Sequence, residues 1–345
     1  MSNGQNFDRQ YRCTIGNSSG AFEVGGGQYP LHISFNIQKA DTKANNSATV
    51  TLWNLNDVHI SAIEQADCRL TLRAGYGTRL AQIFEGTVSF SCTEMDGADR
   101  KTEIELVDGL KSTRDSYVSV AYTEPISWKS IIDDIGAQMG MAVQYSYNAE
   151  FINISSGFSF IGKGTDVLTK ACNSCGLAWT IQNGIIQVKK PNDVMSKQVY
   201  VLSYATGLLG SPKKISMEKS KVKGAVKKIG YDVEFFLNGA IEVGDYVKVE
   251  SKTVTGFYKV YSIKHDGDNV SGDWISTARL TELSATGSSL GSSVGTTSGK
   301  VVNRNVEKNP GGYTSTQTKT VRRVGQKNPS NTSGGGGGTK TIMTK

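Results

Sequence analysis

The sequence predicts a mainly β protein: two antiparallel β domains with a small α+β insert between them, followed by a tail without a core. Three observations support this. Apolar residues alternate with polar ones in short segments up to residue 115, and again between 197 and 283. Glycine outnumbers proline 39 to 6, which suits many strands joined by turns. Between the two strand-rich parts the period changes, and a helix-then-strand pattern occurs twice.

Residues 1–115 read as the first β domain. In "LHISFNIQK", Leu31, Ile33, Phe35 and Ile37 share one face, with His32, Ser34 and Asn36 on the other. The strands "SATVTLWNL", "CRLTLRAGY", "AQIFEGTVSFSC" and "RKTEIELVDG" follow, separated by turn residues. One short helix interrupts them, with Asn56 or Asp57 as its cap and Ile60 and Ile63 facing inward. Many short strands at close spacing predict a small antiparallel barrel or sandwich, because strands with one apolar face need a curled sheet to cover it.

Residues 116–195 form the insert. "SIIDDIGAQMGMAVQY" and "DVLTKACNSCGLAWTI" align at an offset of 36, matching Ile131 to Val167, Ile135 to Ala171, Met139 to Cys175 and Gly140 to Gly176. Each copy predicts an amphipathic helix that ends at a glycine in the left-handed conformation and runs into a strand. Ser127 and Thr165 are the expected N-caps, and Gln182-Asn183-Gly184 signals a hairpin into "IIQVKK".

Residues 196–283 return to strands ("QVYVLSYA", "AVKKIGYDVEFFL", "DYVKVES", "GFYKVYSIK", "WISTARLTEL") and predict a second β domain the size of the first. Residues 284–345 are rich in Gly, Ser and Thr and are expected to be a flexible tail, since they bury too little apolar area to offset ordering entropy.

The formal charge of +7 belongs to that tail. From Ser284 onward nine Lys/Arg face one acid, Glu307, so residues 1–283 are within one charge of neutral. A basic patch on the folded body for gripping nucleic acid is therefore not implied. No apolar run reaches the ~18–20 residues needed to span a bilayer, so stable membrane insertion is not expected. The polar start "MSNGQNFDRQYR" predicts no cleaved leader. Cys13, Cys68 and Cys92 fall in the apolar phase of strands, where a thiol acts as a small hydrophobe. Five cysteines, an odd count, argue against a disulfide framework.

Few residues invite a chemical reading. "CNSC" (Cys172–Cys175) lacks further soft ligands for zinc, and it lies at a helix C-terminus, where the dipole disfavours a thiolate. Core packing is the simpler account. The seven lysines from Lys213 to Lys228 read as a solvated sheet face, with Lys221, Lys223 and Lys227 in one parity. No glycine cluster follows a strand and opens a helix with Lys-Ser/Thr, and with three histidines a triad has few bases available. The densest polar group is His265, Asp266, Asp268 and Asp273 in "GFYKVYSIKHDGDNVSGDW". A calcium loop starting at Asp266 would place Val270 and Thr277 at ligand positions, so it fails. The expectation is a polar hairpin loop whose ends are flanked by Ile263 and Trp274. No catalytic residue, cofactor or metal is predicted.

The order of segments resembles a known family. "AIEVGDYVKVES" followed by "TGFYKVYSIKHDGDNVSGDW" is similar to the last β domain of baseplate hub proteins of contractile phage tails. That family includes the late-control D proteins and, more distantly, the N-terminal part of the type VI secretion spike. "FNIQKADTKANNSATVTLWNLN", "LRAGYG", "IFEGTV" and "IELVDG" resemble its opening barrel, and "GLLGSP" (Gly207–Pro212) its join to the second. The resemblance covers nearly all of residues 7–283, carried by motif order and by no single motif. It implies two tail-tube-like barrels and a homotrimeric adapter between a sixfold tail tube and a threefold central spike. Tube, spike, tape measure and other baseplate proteins are the partners it implies. It implies no enzyme activity, DNA only in transit through the channel, and a place in the virion baseplate after assembly in the host cytoplasm. The Gly-rich basic tail departs from the family, and its Lys319, Arg322, Arg323 and Lys327 are candidate contacts to an acidic partner. Two alternatives stand beside the hub: a cell-wall-binding tail-tip protein using the insert, and a tail lysin using His265, Asp266 or Asp268.

Overall fold

The computed structural model describes residues 8–26, 30–191, 193–217, 229–282 and 301–302. The first β module comprises β1 (Arg9–Asn17), β2 (Gly20–Gly25), β3 (Ile33–Ala40), β4 (Ser47–Trp53), α1 (Asp57–Ile63), β5 (Arg69–Tyr76), β6 (Arg79–Asp96) and β7 (Asp99–Val107). The insert holds α2 (Leu110–Arg114), β8 (Tyr117–Tyr122), β9 (Ile126–Ser127), α3 (Trp128–Gln138), β10 (Ala142–Tyr145), β11 (Asn153–Ile154), β12 (Phe158–Lys163), α4 (Gly164–Ser174), β13 (Ala178–Gln182) and β14 (Ile185–Lys189). The second module has β15 (Val199–Ser203), β16 (Leu208–Ser216), β17 (Ile229–Phe236), β18 (Tyr246–Glu250), β19 (Thr255–Asp268) and β20 (Trp274–Thr281). A two-residue strand, β21 (Val301–Val302), lies parallel to β15. The chain is mainly β with a small α+β insert.

Local chemistry explains most boundaries. Asn56 caps α1, its Oδ1 accepting the His59 N–H at 2.8 Å, and Ile63 is buried. Ile33, Phe35 and Ile37 point into the core as their alternation requires. In the insert, Met139 and Cys175 cap the C-termini of α3 and α4, and Gly140 and Gly176 follow with φ of 68° and 65°. Both helices then run into strands, β10 and β13, so the 36-residue offset holds for helix, cap and strand alike. The N-caps differ between the copies. Ser127 Oγ accepts the Lys129 N–H at 3.2 Å, but Thr165 lies inside α4 and Lys163 holds the cap position. The β8–β12 ladder, extended by Gly164 N–H to Ser116 C=O at 3.1 Å, carries the chain straight into the helix and leaves Thr165 within its first turn.

Cys13 and Cys68 are buried, but Cys92 is exposed and Phe90 is 57% exposed, contrary to their apolar phase. A bulge between Val88 and Phe90 shifts the register, and the β6–β7 hairpin then projects past the core.

Among the described residues fourteen strands form one sheet, eleven of them along the path β16-β17-β20-β19-β3-β4-β7-β6-β5-β1-β2, with β18 on β19, β15 on β18 and β21 on β15. The two modules meet edge to edge, through the antiparallel pairing of β19 with β3 from Ser262↔Ala40 to Asp268↔Ser34. Each repeats one arrangement: β3-β4-β7-β6 in the first has the order of β16-β17-β20-β19 in the second, with β5 on β6 and β18 on β19. Even the bulge recurs, between Val88 and Phe90 in β6 and between Val260 and Ser262 in β19. At the bulge, Val88 N–H meets Cys68 C=O at 2.8 Å, and Val260 N–H meets Asp245 C=O at 3.0 Å.

Three large buried clusters follow the three parts. The first module's core also takes Leu237 and Trp274 from the second, the insert has its own core around Ile131, Leu168 and Trp179, and the second module closes over Phe235, Val247 and Leu280.

Candidate functional site

The polar stretch from Gly256 to Trp274 is the seam between the modules. Most of it is strand, because β3 pairs with β19 as far as Asp268 and satisfies its backbone. The expected hairpin loop is therefore only residues 269–273, and His265 and Asp266 belong to a ladder bonded on both sides. Strand alternation then separates the cluster. His265 points inward and is fully buried, with Nδ1 2.8 Å from Ser276 Oγ and no partner on Nε2. Burial, helped by the nearby Lys39 ammonium, lowers its pKa to about 3, so the ring is neutral at pH 7. Asp266 and Asp268 point to the opposite face. Asp266 accepts from Asn36 Nδ2 at 2.5 Å and pairs with Lys264 at 2.9 Å. Asp268 accepts the Val270 and Ser271 N–H groups at 2.9 and 2.8 Å, and His32 Nε2 lies 3.0 Å from its other oxygen. Asp273 ends the loop, its carbonyl taking the Asp268 N–H at 2.9 Å. Of these groups Asp266 and Asp268 tie one module to the next, through Asn36 and His32. The groups do not converge on a common point.

The sheet face turned away from the cores is polar across the seam. One row reads Glu105, Thr49, Asn36 and Asp266 on β7, β4, β3 and β19; a neighbouring row continues Ser47, Gln38, Lys264, Thr277 and Glu234. Two of its cations are paired in place, Lys264 with Asp266 and Arg279 with Asp232, the latter with two bonds of 2.9 and 3.0 Å. An open depression of about 460 Å³ on this face is lined by Lys264, Asp232 and Arg279 together with Asn45, Ser47 and Thr277.

Behind the seam lies a charge cluster that the sequence reading did not anticipate. Lys39, Lys189 and Lys259 are each at most 2% exposed, one from each of the three parts of the chain. Asp41 bridges two of them, at 2.6 Å to Lys189 and 2.5 Å to Lys259. Lys39 pairs with Glu242 at 2.6 Å and donates to Asn183 Oδ1 at 3.2 Å. Burial pushes the Asp41 carboxyl up, but the two ammonium groups outweigh it and hold it below the usual carboxylate range. The signal for Lys39 was present in the sequence, since it continues the inward parity of Leu31, Ile33, Phe35 and Ile37. Next to this cluster the insert docks through its hairpin. Asn183 and Gly184 have φ of 51° and 74°, the pair of positive values that an Asn-Gly turn supplies. Asp108 of the first module accepts both of their N–H groups, at 2.7 and 2.8 Å.

Cys172 is buried in α4, and burial lifts its thiol pKa to about 12, which keeps it protonated; Cys175 is half-buried at the helix end. Of the lysine run, Lys213 and Lys214 lie exposed on β16, while Lys221, Lys223 and Lys227 fall outside the described residues, as do Lys319, Arg322, Arg323 and Lys327 of the tail.

No family model matches the chain, and no curated protein matches it. Solved structures do. The 43 kDa tail protein of prophage MuSo2 from Shewanella oneidensis matches with a TM-score of 0.52 at 9% identity, covering 79% of this chain and 98% of that one. The tail protein from Neisseria meningitidis MC58 matches with a TM-score of 0.50 at 10% identity, covering 79% and 96%. The likeness is one of fold. It extends over nearly the whole of both tail proteins.

Proposed function

We propose that the chain is a structural baseplate hub of a phage or phage-tail-like particle, a homotrimer that joins a sixfold tail tube to a threefold central spike. The observation that carries this reading is the repeated module. Two copies of one strand arrangement, set side by side in one sheet, let three chains present six equivalent units. The fold shared with two phage tail proteins supports the same reading. So does the polar face, whose Lys264 and Arg279 are each paired with an acid, which suits the wall of a channel through which DNA passes without being held. His265, the one histidine in the polar stretch, is neutral and sealed, and Asp266 and Asp268 are held by Asn36, Lys264 and His32, which favours assembly over catalysis as the chain's work. The site of action is then the virion baseplate, with tube, spike and neighbouring baseplate proteins as partners. Co-expression with the genomically adjacent tail proteins, followed by mass determination of the purified complex, tests it. Three copies bound to a spike are expected. A chain recovered alone and monomeric with every tail partner would overturn the proposal.

A further inference from the structure

Three side chains at the buried charge cluster have the composition of a self-modifying site. Lys39 stands on β3 of the first module, Asn183 in the β13–β14 turn of the insert, and Glu242 in the connection between β17 and β18. Lys39 Nζ donates to Glu242 Oε2 at 2.6 Å and to Asn183 Oδ1 at 3.2 Å, and Asn183 Nδ2 donates to Glu242 Oε1 at 3.2 Å. An amine, a carboxamide and a carboxylate thus close one ring, and a single carboxylate holds both the amine and the amide nitrogen. Acyl transfer from an amide to an amine needs this arrangement, because one group must take a proton from the nucleophile and give one to the leaving nitrogen. We propose that Lys39 and Asn183 join in an intramolecular isopeptide bond, with Glu242 as the proton carrier.

Each group is held in place. Asn183 N–H donates to Asp108 Oδ2 at 2.7 Å, Glu242 N–H donates to Asp245 Oδ2 at 2.9 Å, and the Ile83 carbonyl accepts a further bond from Lys39 Nζ at 3.0 Å. The Lys39 side chain has 0% exposure, so bulk water does not compete for the nucleophile. In an Asn-Gly pair the usual attacker of the asparagine amide is the glycine nitrogen. Here the Gly184 N–H is engaged by Asp108 Oδ1 at 2.8 Å, which leaves the Asn183 amide to the amine.

The step balances without a co-reactant. Glu242 takes a proton from the Lys39 ammonium, the freed electron pair on Nζ attacks Asn183 Cγ, and the Cγ–Nδ2 bond breaks as the Nζ–Cγ bond forms. The departing nitrogen receives the proton held by Glu242 and the surplus proton of the new amide. A secondary amide and one ammonium ion are the products, and the Glu242 carboxylate is restored. The bond ties the first module to the insert across 144 residues of chain, with the proton carrier supplied by the second module. It does not rest on the hub reading.

Mass spectrometry of the full chain, denatured after prolonged incubation in the folded state, tests it. The mass is expected to lie about 17 Da below that of the sequence, the loss of one ammonia. Trypsin should release residues 13–43, uncut at Lys39, linked to residues 171–189. A succinimide at Asn183-Gly184 has the same mass deficit but leaves Lys39 cleavable, and finding it in place of the linked peptide overturns the proposal. Glu242→Gln should fold with an unchanged circular dichroism spectrum, keep its ammonia and give the two peptides separately. On a denaturing gel it should migrate apart from the wild type, whose closed loop makes it more compact. Wild-type protein at the full sequence mass overturns the bond, whether or not the variant folds. A linked peptide that persists in Glu242→Gln overturns the role given to Glu242.

Discussion

Asp41 joins the insert's Lys189 to the second module's Lys259. It holds two ammonium groups that are otherwise sealed from water, and removing one partner of such a cluster leaves charge without compensation. Asp41→Asn should therefore cost about 3–5 kcal/mol in urea unfolding. A loss under about 1 kcal/mol would mean that Lys189 and Lys259 reach other acceptors. His265 makes a pH prediction. Its pKa of about 3 in the fold lies below the value near 6.5 expected of the unfolded chain. The unfolded state thus binds the extra proton between those two values, and the contribution of His265 is complete above pH 6.5 and lost as pH falls toward 3. Stability should drop by about 1.4 kcal/mol per pH unit below pH 6, and His265→Leu should flatten that slope. The same slope in the variant would assign it to other groups. At this scale the sequence showed direction and not partners. Lys39 was visibly in an inward position, but its partner Glu242 and the pair made by Asp41 and Lys259 are some 200 residues distant, and no local pattern links them.

The elements divide by how their signals are built. The insert's repeat was readable because helix spacing and a terminal glycine are both local, and Gly140 and Gly176 mark the helix ends directly. The β module repeat was not readable. What recurs there is strand order and one bulge, and apart from the pairs Val88–Leu106 and Val260–Leu280 the bulge-flanking side chains differ. The end of β19 was misplaced for a related reason. A strand bonded on both edges and polar on one face, such as residues 264–268, carries the same residue types as a loop. Docking of the insert gives this scale its prediction. Asp108 receives two backbone N–H groups of the Asn183-Gly184 turn, so Asp108→Ala should cost about 1–3 kcal/mol by leaving them unpaired. Amide exchange should quicken first at Asn183 and Gly184 and spread through β13 and β14. Uniform exchange across the chain would show that the insert is held mainly elsewhere.

For the whole molecule, the sequence indicated two β parts, an insert and a body of near-zero net charge, while the structure adds that β3–β7 and β16–β20 repeat one arrangement within a continuous sheet. Tandem copies displace an ordinary rule of assembly, in which the number of chains equals the symmetry displayed. Electron microscopy of the assembled particle, viewed along its axis, tests this most directly. The account predicts a closed ring of six similar lobes around an open centre, built from three chains and decorated by three inserts. A ring whose lobes equal its chains in number, or a ribbon that does not close, would contradict it.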